Sequence, residues 1–151
     1  MNHFVIVAFV KKDFPQSFAQ TDWPLHVTIV RPFFSEKNAE EFSKVLKEIC
    51  SNFKSIQTEG KSLEMFGEKN DAAVTELQNV PELQALHDRV MGGCGEWMEF
   101  KTRQFDTYRP HVTDQKENKI EVGEKVTINS ISLVDINSIE RRVFETFNFE
   151  G

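Results

Sequence analysis

Short apolar runs separated by polar turns make up most of this chain, and two longer stretches carry a helical period instead. Residues 3–10 read HFVIVAFV, a β-branched and aromatic run that predicts a buried strand. Residues 11–22 are polar and include Pro15, so we read them as a loop or one short helical turn. A second strand is expected at about 25–31, stopped by Pro32. Ala39, Phe42, Leu46, Ile49 and Phe53 then recur at helical spacing. They predict an amphipathic helix over roughly 36–53, with Ser35 as N-cap and Glu36, Glu40 and Glu41 at its positive end. Residues 56–66 and 72–77 form a pair of strands around the turn residues Gly67, Asn70 and Asp71, the pattern of a hairpin. Pro81 opens a second helix with Leu83, Leu86, Val90 and Met91 on its inner face, and Gly92-Gly93 is expected to end it. Residues 95–107 carry no clear period. A strand at about 109–115, a charged turn at 116–123, and a hairpin of 126–136 with 142–149 around Asn137-Ser138 complete the chain.

The order strand, strand, helix, hairpin, helix, strand, hairpin predicts an α+β protein. We expect a single domain over residues 1–151, built of two pseudo-symmetric lobes. Each lobe would be a small antiparallel sheet with a helix on its outer face, and a groove would lie between them.

Composition narrows the function. Fourteen Phe point to an aromatic core. A net charge of −6 argues against broad, non-specific nucleic-acid binding, which needs many cations against phosphates. It leaves room for a small phosphate ligand or an RNA end in a local basic pocket. Cys50 and Cys94 have no metal spacing and are too few for a disulfide framework; Cys50 is expected to pack as a small hydrophobe. No signal-peptide pattern and no apolar run of membrane-spanning length is visible, so the expectation is a cytoplasmic protein with no membrane partner. The residues do not give the oligomeric state, and a monomer is the default expectation.

One tripeptide occurs twice. Leu25-His26-Val27-Thr28-Ile29 and Arg109-Pro110-His111-Val112-Thr113 both contain His-Val-Thr, where about 0.2 His-x-Thr tripeptides would arise by chance. In a strand, residues i and i+2 share a face, so each copy sets an imidazole beside a hydroxyl with Val turned to the core. Facing strands would then frame a pocket with two His and two Thr. Imidazoles titrate near neutral pH, so one can take a proton from water while the other protonates a leaving alkoxide. The Thr hydroxyls can donate to the charged oxygens of a phosphodiester. The scheme needs no metal and no cofactor. Arg109 shares the face of His111 and Thr113, and we rank it above Arg31 as a phosphate contact. Tyr108, Trp23 or a Phe could stack on a base. His3 and His87 are expected in local or partly packed roles.

These two motifs, read as Leu25-His26-Val27-Thr28-Ile29-Val30-Arg31-Pro32-Phe33 and Tyr108-Arg109-Pro110-His111-Val112-Thr113, resemble those of the two-histidine (2H) phosphoesterase superfamily. The resemblance is to its LigT-like branch, the RNA 2′,3′-cyclic phosphodiesterases also called 2′-5′ RNA ligases. It implies metal-independent phosphodiester chemistry on RNA ends or small nucleotides. By motif position His26 and His111 would be the acid–base pair, and Thr28 and Thr113 would hold the phosphate. The resemblance gives His111 the water and His26 the leaving oxygen. It leaves three readings: opening of 2′,3′-cyclic phosphates, action on 2′-5′ linkages, or nucleotide binding without catalysis. One departure is visible: Thr113 is followed by Asp114-Gln115-Lys116, where the family continues with an apolar residue, so the second motif strand is expected to be short or at an edge.

Overall fold

The computed structural model describes residues 1–67, 69–102, 107–116 and 118–150. The described residues form β1 (Asn2–Phe9), β2 (Ser17–Ala19), β3 (His26–Ser35), α1 (Ala39–Cys50), β4 (Ile56–Phe66), β5 (Ala72–Leu77), α2 (Pro81–Cys94), β6 (His111–Thr113), β7 (Lys125–Ile128), β8 (Ser130–Asp135) and β9 (Glu140–Asn148). The strands lie in the order β2-β9-β8-β1-β3-β6-β5-β4-β7, and every pairing is antiparallel. The described residues are thus α+β, an antiparallel sheet with two α-helices.

Both helices cover one face. Val27, Ile29, Phe33 and Val112 of the sheet bury there against Phe42, Leu46, Leu83, Leu86 and Val90 of the helices. Phe4, Phe33 and Phe42 meet ring to ring at 5.4–6.1 Å, which is where much of the Phe content goes. A second, smaller cluster lies on the opposite face. Val5, Val7 and Phe9 of β1 are covered there by Phe14, Phe18 and Trp23.

Several expectations change, each for a local reason. Residues 11–22 are not all loop, because Ser17–Ala19 adds β2 to the edge of β9. Pro32 does not stop β3. The ladder with β1 slips there, pairing Phe4 with Phe33 but Ile6 with Val30, so Arg31 and Pro32 together stand opposite Val5. A missing N–H is tolerated at such an irregularity. Ser35 belongs to β3; Asn38 caps α1 instead, in a capping box with Glu41, and the helix is shorter than 36–53. The second helix runs through Gly92 and Gly93 to Cys94. A Cβ on Gly93 would stand 3.0 Å from Ile49 and 3.2 Å from Val45, so this glycine serves the close approach of the two helices rather than a helix stop. Residues 126–136 divide at Asn129: β7 pairs with β4, while β8 pairs with β1 and β9. In 95–107, Gly95–Trp97 is a short 3-10 turn and Glu99 bridges Phe34; Arg103, Gln104, Phe105 and Asp106 lie outside the described residues.

Cys50 and Cys94 are both buried and free, and burial pushes each thiol up to about 12, so both are inert small apolar groups. Among the described residues, no helix is long and apolar enough to cross a membrane.

Candidate active site

The two His-Val-Thr motifs come together at one seam of the sheet. Val27 of β3 and Val112 of β6 are register partners, and both are fully buried on the helix side. Antiparallel pairing then sets His26 across from Thr113 and Thr28 across from His111, all four on the other face. The two imidazoles occupy one diagonal of this square and the two hydroxyls the other. Cross-strand diagonals of this kind span about 7–8 Å between backbones. That leaves room for a tetrahedral group between the side chains.

Each histidine is oriented by the same local device. Nδ1 of His26 lies 2.8 Å from the carbonyl oxygen of Pro24, and Nδ1 of His111 lies 2.9 Å from that of Arg109. A carbonyl only accepts, so each Nδ1 must carry the proton. Each neutral ring therefore presents an unprotonated Nε2, and each protonated ring an N–H at the same place. The acceptor is two residues upstream in both motifs, which ties ring orientation to the short extended segments Pro24-Leu25-His26 and Arg109-Pro110-His111.

Aromatic rings wall both histidines. Trp23 packs at 4.6 Å from the His26 ring, with Phe9 at 6.3 Å, and Phe66 meets the His111 ring edge-on at 4.7 Å. Burial lowers both imidazoles below their usual range near 6.5, and each backbone hydrogen bond opposes this in part. The charge on His111 lowers His26 further. At His111 the Glu76 carboxylate pulls upward and the Arg109 guanidinium downward.

The sign for stability follows from these directions. Below pH 6.5 the unfolded chain binds protons that the folded histidines resist. The stabilising contribution is whole above that pH and is lost as the pH falls through the lowered folded values. We expect the thermal midpoint to drop between pH 7 and pH 5, and to drop less in a His26→Gln/His111→Gln protein. Equal slopes in the two proteins would count against buried, resistant imidazoles.

The other expected site residues have partners of their own. Tyr108 is partly buried: its hydroxyl donates to the Thr28 carbonyl at 2.7 Å, and its ring stacks on His87 at 4.2 Å, with planes 3° apart. Burial pushes the phenol up, so it stays a donor. His87 in turn places Nδ1 2.8 Å from the Ile29 carbonyl. Two side chains from distant segments thus hold consecutive carbonyls of β3 beside the first motif. Tyr108→Phe should cost roughly 1–2 kcal/mol of stability, because the Thr28 carbonyl loses its donor. Urea unfolding of the two proteins reads this directly.

Arg109 forms a two-pronged pair with Glu76, Nε to Oε2 at 2.9 Å and Nη2 to Oε1 at 2.7 Å, and its guanidinium lies 4.5 Å over the Phe66 ring. Arg31 turns to Thr102, with Nη1 to Oγ1 at 2.6 Å and Nη2 to the carbonyl at 2.7 Å, and lies over Phe100. The strand β6 is short, as the polar run after Thr113 implies, but it is not at an edge; β3 and β5 flank it. Asp114 still extends the β5 ladder through its amide to Ala73, after which the chain turns by the Gln115–Asn118 bridge. Lys116 there pairs with Asp22, which ties the loop after the second motif to the segment before the first. Among the described residues, no three His, Cys, Asp or Glu side chains cluster as metal ligands. Sequence reading missed Glu76 and Phe66. Neither lies in a motif, and only the register pairing Glu76 with His111 and the turn of β4 bring them to the site.

Two imidazoles and two hydroxyls thus share one face of the β3–β6 seam, each ring with its Nδ1 on a backbone carbonyl. Comparison with known proteins shows the family. Residues 8–127 match the family described as the 2′-5′ RNA ligase superfamily, and the chain belongs to it. No curated protein matches the sequence significantly. Among solved structures, TT0787 of Thermus thermophilus superposes with a TM-score of 0.67 at 14% identity, covering 99% of this chain and 98% of that one. Escherichia coli LigT complexed with 3′-AMP gives 0.64 at 10% identity, covering 99% of both chains. The phosphate complex of LigT gives 0.58 at 12% identity, covering 99% of this chain and 98% of that one. At such identities the likeness is one of fold.

Proposed function

We propose that this protein is a metal-independent phosphodiesterase that opens 2′,3′-cyclic phosphates at RNA or nucleotide ends. The observation that carries the reading is the four-residue square at the β3–β6 seam, with both histidines held in the same tautomer by backbone carbonyls. The strands on either side of this seam would form the two lobes, and the seam itself the floor of the groove between them. A phosphodiester seated over the square would have an Nε2 on each of two opposite sides, as in-line displacement requires. One neutral ring takes the proton of the attacking water as its oxygen bonds to phosphorus. The other, protonated, ring gives its proton to the departing ribose oxygen as the P–O bond breaks. By motif position His111 serves the water and His26 the leaving group. Thr28 and Thr113 donate to the non-bridging oxygens, where charge grows in the transition state.

That LigT has been solved with 3′-AMP and with phosphate supports a nucleotide-sized ligand for this fold. The net charge of −6 favours a single end or a small nucleotide over a long RNA tract. The experiment is incubation with 2′,3′-cyclic nucleotides, 2′-5′-linked dinucleotides and RNAs ending in a cyclic phosphate, with EDTA present, and identification of products by chromatography and mass. Release of linear 2′- or 3′-phosphates supports the reading. Cleavage of 2′-5′ linkages alone would move the activity to the sister class, and nucleotide binding without product would make this a binding domain.

A further inference from the structure

The surroundings of the two histidines are unequal. On the His26 side the partly buried Trp23 is packed against the ring and against Phe18 at 4.8 Å. On the His111 side the hairpin of β4 and β5 brings Phe66 edge-on to the imidazole and beneath the Arg109 guanidinium. Glu76, only 11% exposed in its side chain and the register partner of His111, clamps that guanidinium with two hydrogen bonds. Arg109 itself keeps 51% of its side chain open. Its charge is already balanced by a carboxylate at bonding distance, which leaves little attraction for a phosphate. What it retains is a flat cationic plane held by two hydrogen bonds, backed by an aromatic ring and half exposed among the described residues.

We propose that Arg109, backed by Phe66 and fixed by Glu76, is a stacking platform for the nucleobase of the substrate. This rests on the phosphodiesterase reading for the position of the phosphate, and it gives that site a preference for base-bearing ligands over bare sugar phosphates. Guanidinium planes and aromatic rings both stack on bases without needing a particular hydrogen-bond pattern. The preference is therefore for a nucleobase as such, not for one base. Glu76 acts as a positioning residue, since it touches the platform and not the ligand.

The test is binding, so that it does not depend on turnover. Calorimetry compares adenosine 3′-phosphate with methyl ribofuranoside 3-phosphate, which has the same phosphate and sugar but no base. In the wild-type protein the nucleotide should bind about ten-fold or more tighter. In Arg109→Lys, which keeps the charge but not the plane, that ratio should fall toward one; in Phe66→Leu, which keeps an apolar support, it should fall part of the way. A wild-type ratio near one overturns the proposal. So does a ratio that Arg109→Lys leaves unchanged, including the case where both ligands weaken equally because Arg109 meets the phosphate. If the ratio behaves as expected but no cyclic phosphate is hydrolysed, the platform stands and the enzymatic reading fails.

Discussion

Alanine at His26 or at His111 should lower turnover of a 2′,3′-cyclic nucleotide by about 10²–10⁴-fold, with the folded structure retained. The range is what one positioned acid or base contributes to a proton transfer. Both side chains lie on the half-buried face opposite the core, and their removal exposes neither Val27 nor Val112. Cooperative thermal unfolding in each variant would confirm that lost turnover is not lost fold. The effects should not multiply. The two rings act in one displacement, and once one is missing the other has less to do, so the double variant should be little slower than the worse single one. Addition of EDTA should leave the wild-type rate as it is, because every proton has a side chain to carry it. Two single variants that retain near wild-type turnover would remove the histidines from the reaction.

The second large effect belongs to the hydroxyls. Thr28→Val and Thr113→Val keep the β-branched shape that suits a strand, so the seam should stay intact. Each removes one donor from the non-bridging oxygens. If those bonds tighten as charge builds, kcat should fall by about 10–10³-fold with a small change in KM, as for other preorganised donors to a developing oxyanion. A rise in KM with kcat unchanged would mean that the hydroxyls only hold the ground state. Because Thr28 stands across from His111 and Thr113 across from His26, each hydroxyl belongs spatially to the opposite motif's histidine. Coupling in double variants should therefore be stronger for Thr28 with His111 than for Thr28 with His26.

Much of this site could be read from residues alone, because a period of two is a geometric rule. His-Val-Thr in a strand fixes which side chains share a face, and two copies suggest a pair. The hairpin of β4 and β5, whose strands run Ile56–Phe66 and Ala72–Leu77, follows from its turn residues in the same way. What could not be read is what depends on register. Nothing local says that Val27 meets Val112, or that Glu76 lies beside His111 and so takes Arg109 into an ion pair. Tyr108 shows the same gap. Its place before a strand offers a ring on which a base could stack, but nothing local shows that the carbonyl of Thr28, eighty residues earlier, takes its hydroxyl. Helix ends failed for another reason: Gly93 looks like a stop signal, and only the packing of α2 on α1 reveals that it is there for closeness. The break at Asn129 is likewise invisible in an alternating run, because β7 and β8 each keep the same period while joining different partners.

The claim on which the rest depends is that two imidazoles address one phosphorus atom. A crystal structure with a nucleotide 2′- or 3′-phosphate bound tests it most directly. The account predicts a single phosphate with oxygens within about 3 Å of Nε2 of both His26 and His111, and with the Thr28 and Thr113 hydroxyls on its remaining oxygens. A phosphate held by only one of the two histidines, or seated away from the β3–β6 seam, would contradict it.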